Sequence, residues 1–323
     1  MSKIIFVGDT HIVGISPSSR KESNEQYREV ILNKLEFIRQ TCVNEGANIC
    51  IIEGDVFNNN TGITNTFESE IWLEFLKFKE NNIQLYTIIG NHDMFFQNEQ
   101  EFKGTYLYKA FLAGMIKHLD ELNIGPITIK GIDFKKDFIS ISELNQIGSY
   151  NILVGHCFYE NECFGGIGNE NLTDEKCRTL GYNAYVLGHD HTPYPEIDTG
   201  IYKVIRTGAL MRGTSKTCNL YRKVNVACFD LSDFSSKEIE IPTKPGLEVF
   251  IEKAVLSKDI DLNLEKLLEN FSASKDTNIY SIIDSHREQG QIALKEKYQP
   301  VENLIVKYLE SLGIYRRIDE INN

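Results

Sequence analysis

The chain has 323 residues, of which 41% are hydrophobic, and its formal net charge is -12 at pH 7. This length and composition are typical of a globular protein with one large core or two smaller ones. No run of about 18 apolar residues is present, which argues against a membrane-spanning helix, and the N-terminal residues lack the pattern of a signal peptide. We therefore expect a cytoplasmic protein without a membrane partner.

One basic stretch interrupts the acidic composition. Residues 201–223 contain no acidic residue and six basic ones. Because phosphate binding depends on clustered Lys and Arg, this stretch is the place where a polyanion could bind. A basic loop on an acidic protein explains it equally well. The candidate contacts to phosphate or DNA are Arg206, Arg212, Lys216 and Arg222.

Strands and helices alternate in the first third of the chain. Short apolar runs that end at glycine predict the strands, and apolar residues at helical spacing predict the helices. In chain order the predicted elements are a strand at Lys3–Val7, a helix at Glu25–Glu45, a strand at Asn48–Ile52, a helix at Phe67–Lys79 and a strand at Ile83–Ile89. This alternation predicts a parallel sheet with helices on its faces.

A predicted helix at Tyr106–Leu122 is followed by a segment rich in strands. The predicted strands are Ile127–Phe134, Asn151–Val154, Ala184–Leu187, Tyr202–Ile205, Val224–Leu231, Glu238–Ile241 and, beyond a linker, Val249–Leu256. The linker begins at Pro242, where turn-forming residues gather, and the rest of the chain is mainly helical in pattern. We therefore predict a domain at residues 1–241 and a smaller, mainly helical region at residues 242–323.

Polar residues follow five of the predicted strands. In chain order these polar groups are Asp9 with His11, Asp55, Asn91 with His92 and Asp93, His156, and His189 with Asp190 and His191. A single group of this kind is usually a turn or a surface histidine. In open α/β sheets, however, ligands bind at the carboxyl ends of the strands, so five such groups predict one shared site.

The residue types of these groups suit divalent metal ions. Carboxylate, imidazole and amide oxygen ligands without thiolates favour ions such as Mn, Fe or Zn. The ligands are numerous enough for two ions that share one carboxylate, and Asp55 is the natural shared ligand because it is central in the order. Two ions about 3.5–4 Å apart can hold a bridging hydroxide as the nucleophile and clamp a phosphoryl group during in-line displacement.

The five groups read GDTH (8–11), GD (54–55), GNHD (90–93), GH (155–156) and GHDH (188–191). In this order they resemble the signature of the calcineurin-like metallophosphoesterases, over roughly the first 230 residues. The resemblance implies a sandwich of two mixed sheets flanked by helices. It assigns one metal ion to Asp9, His11, Asp55 and His191, and the other to Asp55, Asn91, His156 and His189. It also implies that His92 acts on the phosphate or the leaving oxygen and that Asp93 orients His92.

Within this superfamily, Ser/Thr protein phosphatases carry an Arg before the GNH motif and Asp-Arg-Gly after the second motif. Ile89 and the run Phe57-Asn58-Asn59 stand at those places here, which argues against that branch. The GNHD motif and the helical C-terminal pattern are more similar to DNA exonuclease subunits of the SbcD type and their phage relatives. That resemblance implies a DNA substrate, a role in DNA repair and recombination, and a location in the bacterial or phage-infected cytoplasm.

The same resemblance implies Mn as the first choice of metal, with Fe, Zn or Mg as alternatives. It further implies a coiled-coil ATPase partner that binds residues 242–323, and a homodimer is an additional expectation. Two other functions stay open at this point. One is a free-standing phosphoesterase that acts on nucleotides or small phosphoesters, and the other is a non-catalytic scaffold with the same fold.

Overall fold

The computed structural model describes residues 3–58, 62–94, 99–134, 148–159, 171–215 and 217–251. They belong to one compact unit. Lys216 and residues 252–323 lie outside the described residues, so the predictions for Lys216 and for a helical C-terminal region stay predictions.

The first sheet has six described strands. In spatial order they are β14 (Ser236–Glu240), β13 (Asn225–Asp230), β1 (Lys3–Val7), β2 (Ile49–Ile52), β3 (Gln84–Thr87) and β4 (Lys117–His118). Strands β1 to β4 run parallel to one another, whereas β13 is antiparallel to both β1 and β14. The sheet is therefore mixed.

The second sheet also has six described strands. In spatial order they are β11 (Tyr194–Asp198), β12 (Lys203–Arg206), β10 (Ala184–Gly188), β7 (Tyr150–His156), β6 (Ile127–Ile132) and β5 (Glu121–Ile124). The four central strands are parallel and the two edge strands are antiparallel. A small parallel pair follows β7 in the chain and consists of β8 (Phe158–Tyr159) and β9 (Asn171–Leu172).

The described helices are α1 (Asn24–Glu45), α2 (Asn65–Glu80), α3 (Tyr106–Leu112), α4 (Asp174–Leu180), α5 (Thr217–Tyr221) and α6 (Gly246–Val249), with a 3-10 helix at Glu99–Gly104. Helix α1 begins at a capping box between Ser23 and Gln26 and ends at Gly46, whose φ of 68° is left-handed. These are the usual start and stop signals of a helix. No helix in this part of the chain is long and apolar enough to cross a membrane.

Alternating residues of β1 explain the layers of the fold. Ile4 and Phe6 lie in the core between the two sheets, together with residues of the second sheet such as Val186. Ile5 and Val7 point the other way, into a core shared with α1 and α2. A third core includes residues of α4 and of the outer face of the second sheet. The predicted α/β sandwich of two mixed sheets flanked by helices is confirmed.

The predicted helix at Tyr106–Leu122 is wrong over its second half. Helix α3 ends at Leu112, and Gly114 takes a left-handed φ of 62°. The residues that follow extend both sheets, because β4 pairs with β3 and β5 pairs with β6. At β4, pairing with β3 from earlier in the chain overrides the local helical pattern, whereas β5 pairs with β6 directly after it, through a turn at Gly125. The sequence pattern also missed β11 and α4.

Helix α6 and the two residues after it pack on the first domain. The Val249 carbonyl accepts a hydrogen bond from Lys21 N at 2.8 Å, and Ile251 N donates to the Ser19 carbonyl at 2.9 Å. Phe250 is buried in a small apolar cluster with Val249. The predicted strand at 249–256 is wrong at its first residue, which is helical, and residues 252–256 are not described. The domain boundary at residue 242 stays a prediction.

Candidate metal centre

The five polar groups meet at one edge of the sandwich, where β1, β2 and β3 of the first sheet end beside β7 and β10 of the second. Three of the predicted metal ligands there, His11, Asp55 and His189, have positive φ values of 44°, 47° and 84°. Non-glycine residues rarely adopt such values, and residues that do so concentrate at functional sites. Of the five non-glycine residues with positive φ in the described part of the chain, three are therefore motif residues.

The first group of potential ligands is Asp9, His11 and His191. Nε2 of His11 lies 2.8 Å from Nε2 of His191. One carboxylate oxygen of Asp9 is 4.0 Å from His11 Nε2 and 3.7 Å from His191 Nε2. Three potential ligand atoms, two from the loop after β1 of the first sheet and one from the loop after β10 of the second, therefore converge on one point.

The second group is Asp55, His156 and His189. Nε2 of His156 lies 3.0 Å from the side-chain oxygen of Asn91 and 3.3 Å from Asp55 Oδ2. Nδ1 of His156 lies 2.8 Å from the backbone carbonyl of Glu53. Because a carbonyl can only accept, Nδ1 carries the hydrogen, and Nε2 is the nitrogen that can bind an ion. The structure thus brings together all seven residues that the sequence analysis named as ligands.

Asp55 lies between the two groups. Its Oδ2 atom is 3.8 Å from His11 Nε2 and 3.3 Å from His156 Nε2, and its other oxygen accepts a hydrogen bond from the backbone N–H of His92 at 2.7 Å. This geometry suits a carboxylate that is shared by two ions.

Two unsatisfied atoms at the site test whether metal ions fit these residues. Asp55 Oδ2 and His11 Nδ1 are buried and have no hydrogen-bond partner among the described residues. A buried carboxylate oxygen without a partner is costly, and an ion would compensate that cost. The donor set of carboxylates, imidazoles and an amide oxygen also suits borderline divalent ions. The residues therefore fit two divalent metal ions.

The electrostatics of the site agree with this fit. Burial lowers the pKa of His11 to about 3, that of His189 to about 3 and that of His191 to about 4, so these imidazoles are neutral, which is the form that binds metals. Burial raises the pKa of Asp9 to about 7; the Asp55 charge acts in the same direction and His156 opposes it. The site therefore favours additional positive charge.

His156 differs from the other histidines. Burial lowers its pKa, but the carboxylates of Asp55 and Asp9 outweigh burial and raise the pKa to about 10. In turn, burial of Asp55 is outweighed by the charge of His156, which holds the pKa of Asp55 below its usual range. The two carboxylates thus attract positive charge to the position between the ligand groups.

Two motif glycines allow the strand ends to approach one another. A Cβ atom on Gly90 would lie 2.1 Å from Oδ1 of Asp55, and one on Gly188 would lie 2.2 Å from the Glu53 carbonyl and 2.6 Å from Oδ1 of Asp9. These distances exclude any side chain. The glycines are therefore part of the site because they let backbone and carboxylates pack directly.

His92 lies at the rim of the metal centre and is half-buried. A ring nitrogen of His92 is within 4.8 Å of ligand atoms of His11 and Asp55. Its Nδ1 atom lies 2.7 Å from the backbone carbonyl of Asn58, so this carbonyl orients the ring. The Asn58 carbonyl gave no signal in the sequence, because a backbone contact does not depend on residue type.

Asp93 has a different role from the predicted one. It is fully buried, and its carboxylate accepts backbone hydrogen bonds from Val56 at 3.3 Å, Phe57 at 3.0 Å and Gly90 at 3.0 Å. The prediction that Asp93 orients His92 is therefore corrected, since Asp93 ties together the loops after β2 and β3. It can affect His92 only through the loop that carries it.

The basic residues of segment 201–223 do not form an exposed strip in the described structure. Arg206 is buried, and its guanidinium stacks on the ring of Tyr194 at 4.0 Å. Arg212 is buried and donates to the backbone carbonyl of Lys244. Arg222 is partly buried and donates to backbone and side-chain oxygens nearby. These contacts hold loops together and give the predicted DNA contacts no support.

Glu53 and Phe158 also lie at the site, although neither belongs to the five motifs. Glu53 is fully buried, and its carboxylate accepts a hydrogen bond from the Thr207 hydroxyl at 3.1 Å. Burial and the Asp9 charge raise the pKa of Glu53 well above its usual value. The sequence could have indicated Glu53, because it is a charged residue at the end of an apolar strand. The Phe158 ring lies 4.3 Å from that of His189, which the sequence could not indicate.

A family model described as calcineurin-like phosphoesterase matches residues 2–193, which contain all five motifs. The chain belongs to the calcineurin-like phosphoesterase family. It is accordingly a metal-dependent phosphoesterase by family, and members of this family typically bind two divalent ions. The ligand groups of the structure agree with that property.

Other comparisons give weaker likenesses. Among solved structures, the chain is similar to a 5'-nucleotidase from Candida albicans, with 13% identity, a TM-score of 0.39 and coverage of 83% of this chain and 58% of that one. It is also similar to a dimetal phosphatase from Danio rerio, with 10% identity, a TM-score of 0.42 and coverage of 74% and 99%. These values support no argument about substrate.

Among curated proteins, the kinesin-like protein KIN-5B of Arabidopsis thaliana is 28% identical over 180 residues. The match covers 52% of this chain and 16% of that protein. Such partial coverage at this identity gives no information about the activity of the chain.

Proposed function

We propose that this phosphoesterase is a two-metal DNA phosphodiesterase, namely the nuclease subunit of an SbcD-type complex. The position of Asp55 is the observation that supports two-metal chemistry, since Oδ2 of Asp55 faces both ligand groups. The choice of DNA rests on sequence. GNHD at 90–93 resembles the nuclease branch, and the residues typical of Ser/Thr protein phosphatases are missing at positions 89 and 57–59.

When bound, two divalent ions supply positive charge to the phosphoryl oxygens and make a water molecule more acidic. In the hydrolysis, a water oxygen forms a bond to phosphorus while the bond from phosphorus to the leaving ester oxygen breaks, and the leaving oxygen takes up a proton. We assign that proton to His92. Its Nδ1 hydrogen is held by the Asn58 carbonyl, so Nε2 is left for the substrate.

We infer Mn as the ion used, with Fe, Zn or Mg as alternatives, because the ligands are oxygen and imidazole atoms. A coiled-coil ATPase that binds residues 242–323, a homodimer, and a role in DNA repair or recombination belong to the same proposal. They rest on the resemblance to the SbcD type.

A comparison of two substrates tests the proposal. The full-length chain is loaded with Mn and incubated with end-labelled linear DNA and with bis(p-nitrophenyl) phosphate, with and without a coiled-coil ATPase encoded beside it. We expect cleavage of DNA that requires Mn and increases with the ATPase, and loss of both activities in Asp55→Asn. Cleavage of the small ester alone under every condition would overturn the nuclease proposal and favour a free-standing phosphoesterase.

A further inference from the structure

A cavity of about 320 Å³ opens between α1, the segment after β12 and the residues that lead into α6. None of the predicted metal ligands lines it. Its apolar lining residues are Val30, Phe37, Ile241, Pro242 and Val249. Its basic lining residues are Arg20, Lys34, Arg212 and Lys244, whereas Glu22 is the one acidic residue among the described lining residues.

Three of the cations are deeply buried, with exposed fractions of 8% for Arg20, 6% for Lys34 and 4% for Arg212. Arg20 forms an ion pair with Glu22 at 2.8 Å. No carboxylate of the described residues forms an ion pair with Lys34 or Arg212. Buried charges are costly unless an opposite charge lies beside them, so the cavity favours an anion.

Lys34 has spare hydrogen-bonding capacity. Its ammonium group donates to the Leu210 carbonyl at 2.5 Å, and an ammonium group has three hydrogens to donate. Burial lowers the pKa of Lys34 well below its usual value, and the charges of Arg222, Arg212 and Arg20 lower it further, whereas Glu22 opposes them. A bound anion would relieve this repulsion and accept the remaining hydrogen bonds.

We propose that this cavity binds an organic phosphate, with the phosphate group against Lys34 and Arg212 and an apolar body against Phe37 and Val249. Apolar walls with a few converging polar groups are typical of small-molecule sites of about 300–1,000 Å³. Guanidinium and ammonium groups are the usual partners of phosphate in proteins. This site goes beyond the proposed nuclease function and does not depend on it.

The test must separate this cavity from the metal centre, which also attracts phosphate. The two are close in structure, because Leu210 accepts from Lys34 and donates its own N–H to the Asp9 carbonyl at 2.8 Å. Binding of adenosine 5'-monophosphate, adenosine and inorganic phosphate is therefore measured by calorimetry on the full chain in EDTA. The same titrations are made on Asp9→Asn. We expect the monophosphate to bind most tightly, phosphate alone more weakly and adenosine not at all, in both proteins.

Variants then place the ligand in the cavity. We expect Lys34→Met to weaken binding of the monophosphate by about tenfold or more, because a charge-assisted hydrogen bond is lost. If Lys34→Met does not fold, Asn33→Asp and Lys244→Glu replace it, since both residues are exposed and line the mouth. Each should weaken binding by about threefold or more. The matched control is Lys79→Glu on the exposed face of α2, which should bind as the unmodified chain does.

Several results would overturn the site. They are the absence of monophosphate binding, equal binding of adenosine and the monophosphate, loss of binding in Asp9→Asn, and unchanged binding in the folded cavity variants.

Discussion

One carboxylate oxygen of Asp55 accepts a hydrogen bond from the backbone N–H of His92 at 2.7 Å. This bond joins the loop after β2 to the loop after β3 and leaves the second oxygen, Oδ2, facing His11 and His156. Since Oδ2 is buried and without a hydrogen-bond partner in the described part of the chain, it is available to bind ions. Asp55 thus links the metal centre to the residue that we assign to proton transfer.

We expect Asp55→Asn to lose both metal ions and to reduce hydrolysis by about 10³-fold or more, because a shared negative ligand is removed. Metal content by mass spectrometry and the rate with bis(p-nitrophenyl) phosphate measure the two effects. Asp120→Asn is the control, since the side chain of Asp120 is 78% exposed and should not matter. Retention of both ions by Asp55→Asn would contradict the shared-ligand assignment.

His92→Ala should keep both metal ions and slow DNA hydrolysis by about 10²-fold or more, as expected for lost acid catalysis. The loss should be smaller with bis(p-nitrophenyl) phosphate, because nitrophenolate leaves without needing a proton. Rates with both substrates and the metal content are measured on one preparation. If the variant lost its metals, His92 would instead be a ligand, and an equal loss with both substrates would exclude the role of proton donor.

Asp93→Ala should destabilise the metal-free protein by about 3 kcal/mol, because three buried backbone N–H groups lose their acceptor. Urea unfolding followed by circular dichroism measures this free energy, with Glu248→Ala as the exposed control. The opposite result would be an unchanged free energy of unfolding together with a hydrolysis rate that depends differently on the leaving group. It would support the original prediction that Asp93 orients His92.

Gly188→Ala should weaken metal binding by about tenfold or more, because the added Cβ atom would displace the Glu53 backbone or the Asp9 carboxylate. The matched control is Gly213→Ala, since a Cβ atom there would meet no atom within 4 Å. Metal titrations of both variants make the comparison. Equal metal affinities of Gly188→Ala and Gly213→Ala would show that close packing at Gly188 does not shape the site.

The sequence contained most of the fold because its signals are local. Short apolar runs ending at glycine marked β1, β2 and β3, and their ends carried the ligands. At β4, pairing with β3 from earlier in the chain decided the structure, and the local helical pattern gave a wrong prediction. The predicted strand at 249–256 was wrong at Val249, which is the last residue of α6, and residues 252–256 are not described.

By itself, the sequence determined which residues could bind metal ions, because residue type and position at a strand end are both local properties of the sequence. Only the tertiary structure decided what each polar group contacts. His156 meets the Glu53 carbonyl across 103 residues, and Lys34 meets the Leu210 carbonyl across 176. Likewise, the Asp93 carboxylate accepts hydrogen bonds from the backbone of the loops and does not orient His92 directly. Arg206 and Arg212 are buried in the protein. Such contacts depend on how two sheets and their loops pack, and no local pattern encodes that packing.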